Sequence, residues 1–123
     1  MLYLYLLSGI IFVITDSIYL NLIKNYFEKQ IIAVQGSAIK INLYGVLLCY
    51  LILILGLNYF IIQQNKSILD AFLLGILIYG VYETTSYALL KNWRFETVIL
   101  DTLWGGILFA ITTYVIYFIR KQL

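Results

Sequence analysis

Three acidic side chains lie deep inside otherwise apolar stretches of this sequence: Asp16, Glu83 and Asp101. Glu83 is about seven residues, hence roughly 10 Å, from the nearer end of its stretch. A charged side chain at that depth of a bilayer costs about 2.5–3.5 kcal/mol even on the mildest scale. Intramembrane acids are functional-site candidates for this reason, and the chemistry open to them is the binding and release of a proton or a cation.

The three acids are predicted to share one layer of the membrane. Asp16 and Glu83 each come about seven residues before the end of an apolar stretch, and Asp101 about four residues after the start of one. In antiparallel neighbouring helices all three distances are measured from the same membrane face. We therefore expect a carboxylate layer, formed by Asp16, Glu83 and Asp101, roughly 6–10 Å below that face.

Hydroxyl and indole side chains accompany the acids at helical spacings on each predicted helix. Tyrosine and serine hydroxyls and the indole N–H can all donate to a carboxylate. The predicted ion- or proton-binding polar cluster consists of Asp16, Tyr19, Tyr79, Tyr82, Glu83, Ser86, Asp101 and Trp104.

No lysine or arginine lies within the predicted spans at the depth of the carboxylate layer. Arg94 and Lys91 lie at the edge of the same face and are the candidate counter-charges, with their stems along the helices. Alternatively, one or more acids are protonated, because burial and neighbouring like charges both favour the neutral form of a carboxyl group. A bound cation would also compensate the acids, and the spacing alone leaves these states open.

The elements that must position the acids are four apolar stretches. Hydrophobic residues make up 63% of the chain and charged residues 11%, whereas soluble domains carry about 25% charged residues. About 20 apolar residues cross a bilayer as a helix, and short connections make neighbouring helices antiparallel. The predicted fold is all-α, a four-transmembrane-helix up-down-up-down bundle forming one integral membrane domain over 1–123. Its predicted helices are 2–23, 41–62, 68–90 and 97–119, with an interfacial loop, partly helical and broken near Gly36, over 24–40.

Basic residues predict the orientation of this multi-pass protein. The loops between the first two and the last two helices carry more of them than the opposite side does. The positive-inside rule therefore places both termini on the non-cytoplasmic side. The basic residues are Lys24, Lys29, Lys40, Lys91 and Arg94 on one side, against Lys66, Arg120 and Lys121 on the other.

Composition excludes several kinds of site. The chain has no histidine and one cysteine, Cys49, so an internal disulfide, a Cys/His zinc site and histidine-ligated haem are excluded. No lysine inside a span could form a retinal Schiff base, and no potassium-filter run occurs. The net charge of +2 is too small to indicate nucleic acid as a partner. We expect no metal and no cofactor.

Two short segments echo each other: "ITDSIYL" at 14–20 and "ILDTLWG" at 99–105. Both have an aspartate followed by a hydroxyl residue and, three positions after the aspartate, an aromatic ring. Because the first and fourth helices are predicted to be antiparallel, the two copies would face each other as an inverted pair. Inverted repeats are a recurring device of transporters, with sites at the repeat interface.

Three segments, "DSIYLNLI", "IYGVYETTSYALLKNW" and "LDTLWGGIL", resemble the signatures of a domain-of-unknown-function family of small four-helix membrane proteins from bacteria and large DNA viruses. The signatures are D-x-x-Y-L, Y-x-x-Y-[DE]-x-T-[NS] and D-x-x-W-G. Glu83 stands where the family usually has aspartate, and Ser86 where it usually has asparagine. The resemblance implies the fold and marks Asp16, Tyr19, Tyr79, Tyr82, Thr85, Trp93, Asp101, Trp104 and Gly105; it implies no activity.

Three functional hypotheses remain open. The first is a small channel or transporter-like unit whose acids bind H⁺ or a small cation, in the lipid bilayer and as a homo-oligomer, because four helices enclose little space. The second is a membrane-embedded, isomerase-like enzyme acting on a lipid or isoprenoid substrate, with paired carboxylates as acid and base. The third is a structural or assembly subunit whose acids fix helix packing. An enzyme is the less expected class because no nucleophile–base pair is recognisable.

Overall fold

The computed structural model describes residues 2–122, and four long α-helices account for most of this range. All four are long and apolar enough to cross a membrane, which confirms the predicted all-α, four-span bundle. The second helix ends in a π-helical segment, Asn58–Ile62. The helices are α1 Leu2–Gln35, α2 Leu43–Leu57, α3 Ile68–Leu89 and α4 Phe95–Gln122.

Helix α1 is longer than the sequence suggested. It continues to Gln35 rather than ending near residue 23, so most of the segment predicted as an interfacial loop is helical. The helix stops at Gly36, whose φ of +77° is the left-handed conformation that commonly ends a helix, and whose N–H donates to the Ile32 carbonyl at 2.8 Å. Its 34 residues extend roughly 51 Å, against about 30 Å of hydrocarbon. The last turns therefore project beyond the apolar part of a bilayer.

Helix α4 is central to the bundle. It packs along α3 and also against α1, and α2 packs against α1. Contact between α2 and α3 is sparse, although only a short connection joins them. The gap between these two helices is called the α2–α3 cleft below.

Glycines allow α3 and α4 to cross closely. A Cβ atom built at Gly75 would lie 2.2 Å from the Gly105 carbonyl oxygen, and one built at Gly105 would lie 2.3 Å from the Tyr79 ring. No side chain fits into either space. The two helices therefore meet backbone to backbone at these positions, one turn below Asp101 on α4.

An aromatic layer fills the interior on the side of the carboxylate layer that faces the termini. Phe12 and Phe109 are fully buried, with their ring centroids 5.6 Å apart in an edge-to-face arrangement. Leu57 and Leu108 are also fully buried and belong to the same core cluster. The acids are thus separated from that end of the bundle by packed apolar side chains.

Candidate functional site

Asp16 joins three helices. Its side chain is only 7% exposed, and each carboxylate oxygen accepts one hydrogen bond. The Tyr50 hydroxyl on α2 donates to Oδ2 at 2.5 Å, and the Trp104 indole Nε1 on α4 donates to Oδ1 at 2.9 Å. Sequence reasoning missed Tyr50. The signal that could have revealed it is its depth, about nine residues into the second apolar stretch and hence close to the level of Asp16.

The two echoing segments face each other and exchange donors. Tyr19, three positions after Asp16, donates to Asp101 Oδ1 at 2.7 Å. Trp104, three positions after Asp101, donates to Asp16. The two aromatic rings stack with their centroids 4.3 Å apart and their planes 4° from parallel. Each aspartate therefore accepts a hydrogen bond from the aromatic residue three positions after the other aspartate. This reciprocal arrangement is the one expected of an inverted pair.

Glu83 is fully buried on α3. Its Oε1 accepts from the Trp93 indole Nε1 at 3.0 Å, while its Oε2 has no hydrogen-bond partner among residues 2–122. Asp101 on α4 is the acidic neighbour of the Glu83 carboxyl group. Two ionised carboxylates are both acceptors only, so a proton or a cation is what would complete this contact.

The remaining residues of the predicted polar cluster do not donate to an acid. Tyr79 packs against Gly105 and contacts Phe109 edge-to-face. Tyr82 is 60% exposed, and Ser86 is buried. Thr85, marked by the family resemblance, is exposed on α3. Helical spacing correctly places these side chains on the same helix as Glu83. The hydroxyls that donate to an acid, those of Tyr19 and Tyr50, instead come from a different helix than the acid they contact.

The candidate counter-charges lie away from the carboxylate layer. The Arg94 Nε pairs with Glu96 Oε2 at 3.2 Å, with both side chains more than half exposed, and its guanidinium lies over the Tyr26 ring at 5.4 Å. Lys91 is exposed. Of the compensating states that the sequence leaves open, an inward-reaching Arg94 is not the one found: Glu96 is two residues away, and pairing there avoids desolvating either charge.

A polar latch, which sequence reasoning also missed, joins the projecting end of α1 to the connection between α3 and α4. Gln30 is 2% exposed. Its Nε2 donates to the Asn92 carbonyl at 2.9 Å, and its Oε1 accepts from the Arg94 backbone N–H at 2.9 Å and from the Thr97 hydroxyl at 2.7 Å. Asn92 and Arg94 flank Trp93, so the latch holds the segment whose indole donates to Glu83. Reading 24–40 as a loop concealed this role.

The α2–α3 cleft leads from the outer surface of the bundle to Asp16. A cavity of about 410 Å³ is lined by the polar side chains of Asp16, Asn42, Tyr50 and Tyr79 together with mainly apolar residues. A second cavity of about 190 Å³ shares Tyr79 with it and extends to Tyr82. Asp16 thus faces the cleft, whereas Glu83 and Asp101 meet between α3 and α4.

Comparisons with known proteins identify the family of the chain. No curated protein and no solved structure matches it. The family model described as "Predicted membrane protein (DUF2177)" matches residues 1–118. This range contains all three acids and all three segments that carry the resemblance, which confirms the family expected from the sequence. The chain belongs to the predicted membrane protein family DUF2177.

Proposed function

We propose that the protein binds and releases a proton or a small cation at the Glu83–Asp101 pair, as the unit of a channel or transporter-like protein. The observation that carries the proposal is the fully buried Glu83, which has one carboxylate oxygen unpartnered within residues 2–122 and lies beside Asp101. Nearby donors are the neutral Trp93 and Tyr19. An acid pair that includes the fully buried Glu83 and has no basic partner calls for an external positive charge.

Conduction would require more than one copy of the chain. Phe12 and Phe109 close the interior of the bundle next to the carboxylate layer, so a path through one monomer is blocked on the side of the termini. A homo-oligomer could supply the missing path between subunits.

We also propose that the termini lie on the non-cytoplasmic side, because the loops on the side of the acids carry five of the eight basic residues.

Ion flux in liposomes tests the proposed function. Proton and cation fluxes are compared for the wild type, Glu83→Gln, Asp101→Asn and the control Asp70→Asn, since Asp70 is an exposed acid at the start of α3. We expect flux to fall to the level of empty liposomes in the first two variants and to persist in the control. Each variant is first shown to be folded by circular dichroism and gel filtration.

Two results would overturn this proposal. Wild-type flux equal to that of empty liposomes would exclude ion conduction as the function. Flux unchanged in both folded acid variants would show that the pair only supports helix packing.

A second candidate, an isomerase-like enzyme acting on a lipid or isoprenoid substrate, is favoured by one observation: the α2–α3 cleft gives a route from the outer surface to Asp16. Turnover of such a substrate by the wild type, lost in Asp16→Asn, would support it.

A further inference from the structure

The α2–α3 cleft has the size and the lining of a ligand site. Its main cavity, about 410 Å³, falls within the range of small-molecule pockets, roughly 300–1,000 Å³. Apolar side chains such as Leu53 and Val46 form most of its wall, and the polar side chains that line it are Asp16, Asn42, Tyr50 and Tyr79. Such a distribution suits a molecule with one polar end and an apolar remainder.

Asp16 gives this cleft an uncompensated acidic group. Its two hydrogen bonds come from a hydroxyl and an indole N–H, and neither donor carries charge. The one ion pair within residues 2–122 joins Arg94 to Glu96 at the surface. A carboxylate can accept about four hydrogen bonds, so Asp16 retains capacity for a donor that enters the cavity. An ammonium group would supply both the donors and the missing positive charge.

The cleft is open along its side. Cys49 and Val46 line the main cavity and are exposed on the outer surface of α2. Tyr82, which lines the adjoining cavity of about 190 Å³, is 60% exposed on α3. These surfaces face lipid when the bundle spans a membrane. A ligand would therefore enter from the bilayer rather than along the bundle axis.

We propose that the α2–α3 cleft binds a single-chain amphiphile with a primary ammonium head. The head lies against the Asp16 carboxylate, next to the rings of Tyr50 and Tyr79, which offer additional attraction to a cation. The chain lies along Leu53 and Ile78 and leaves towards the lipid. This inference goes beyond the proposed function, because its ligand enters sideways and is held by Asp16 rather than by the Glu83–Asp101 pair.

Cys49 offers a direct readout, since it lines the cleft and is the sole cysteine of the sequence. The rate of its alkylation by N-ethylmaleimide is measured for protein in phosphatidylcholine nanodiscs with added dodecylammonium or dodecanol. The two probes share the chain and differ in the charge of the head. We expect dodecylammonium to protect Cys49 at concentrations at least about tenfold below those of dodecanol, the difference expected for one charge-assisted contact.

Two variants and one control assign the protection to the cleft. Asp16→Asn should abolish the advantage of the amine over the alcohol. Val46→Trp, at an exposed position of the cavity wall, should prevent protection by either probe while Asp16 stays in place, and it decides the matter if Asp16→Asn does not fold. Asp70→Asn, an exposed acid outside the cleft, should behave like the wild type.

The inference is overturned if both probes protect wild-type Cys49 equally, or if the advantage of the amine persists in folded Asp16→Asn. Its failure is distinguishable from that of the proposed function. Amine protection without flux leaves the cleft site standing alone. Flux that depends on Glu83, without amine protection, leaves the proton- or cation-binding pair and removes the cleft site.

Discussion

Tyr19 and Trp104 provide hydrogen-bond donors to two acids inside the membrane, where no basic residue is available to pair with them. Each donates to the aspartate of the opposite helix, at 2.7 and 2.9 Å, and the stacked rings fix both donors in one orientation. A hydrogen bond to a carboxyl group inside the membrane is worth more than an average interhelical bond, because its loss leaves a polar group unsatisfied in an apolar region. The crossed pairs therefore hold α1 against α4.

Tyr19→Phe tests the contribution of one crossed pair. The substitution keeps the stacked ring and removes only the hydroxyl that serves Asp101. We expect the free energy of unfolding to fall by about 1–2 kcal/mol, the upper part of the range for interhelical hydrogen bonds in membranes. The measurement is reversible unfolding in mixed detergent micelles, followed by circular dichroism.

Tyr114→Phe is the matched control for that experiment. Tyr114 is on α4 and 61% exposed, so the removal of its hydroxyl should change stability by less than about 0.5 kcal/mol. Equal effects of the two substitutions would show that the Tyr19–Asp101 hydrogen bond does not hold the helices together.

At the scale of the helices, the close crossing of α3 and α4 determines where Glu83 and Asp101 meet. Gly75 and Gly105 bring the two backbones together, with no room for a side chain between them. Tyr79 packs directly on Gly105 and Phe109 on the same face of α4. The distance between the two acids therefore depends on these small residues, which lie deeper in the membrane than the acids themselves.

Gly75→Ala is expected to force α3 and α4 apart. The new Cβ would lie 2.2 Å from the Gly105 carbonyl oxygen, which is backbone and cannot move aside alone. Overpacking of this kind costs about 1–3 kcal/mol, and the measurement is unfolding in mixed micelles. Gly56→Ala, where a Cβ meets no atom within 4 Å, is the control and should be neutral or slightly stabilising. Tolerance of Gly75→Ala at no cost would refute the close crossing.

The sequence predicts the helices better than it predicts their partners. Apolar length determines the spans, so α3 and α4 begin and end within three residues of the predicted bounds. Apolar length alone does not reveal the partners of Tyr50 and Gln30, because these depend on which helices pack side by side; the depth of Tyr50 indicates only its level in the membrane. The sequence also left the position of the Arg94 side chain open. Its choice between a buried acid and the exposed Glu96 is decided by desolvation, which spacing along a helix does not report.

Within the whole molecule, the acids and most of the basic residues lie towards the same membrane face. The connections from α1 to α2 and from α3 to α4 are at that face, and the connection from α2 to α3 is at the other. Because positively charged loops tend to stay on the cytoplasmic side, the carboxylate layer would be nearer to the cytoplasm. In the proposed function, the Glu83–Asp101 pair would then exchange protons or cations with that compartment more readily.

Cysteine labelling tests this orientation. In a Cys49→Ser background, single cysteines replace Lys40, in the connection from α1 to α2, and Lys66, in the connection from α2 to α3; both positions are exposed. A membrane-impermeant maleimide added to intact cells should label the cysteine at position 66 and not the one at position 40. Permeabilised cells, in which both are labelled, provide the control. The reverse pattern in intact cells would place the termini in the cytoplasm.

The end of α1 that projects from the membrane is connected to the Glu83 site through Gln30. From Asp16 to Gln35 the helix extends roughly 28 Å, so a tilt of about 10° about Asp16 would move its tip by about 5 Å. Gln30 grips the backbone on both sides of Trp93, and the Trp93 indole donates to Glu83. A push on the tip from outside the bilayer would therefore pull on the donor of Glu83. Through this linkage, a mechanical force at the membrane surface would act on a carboxyl group buried within the membrane.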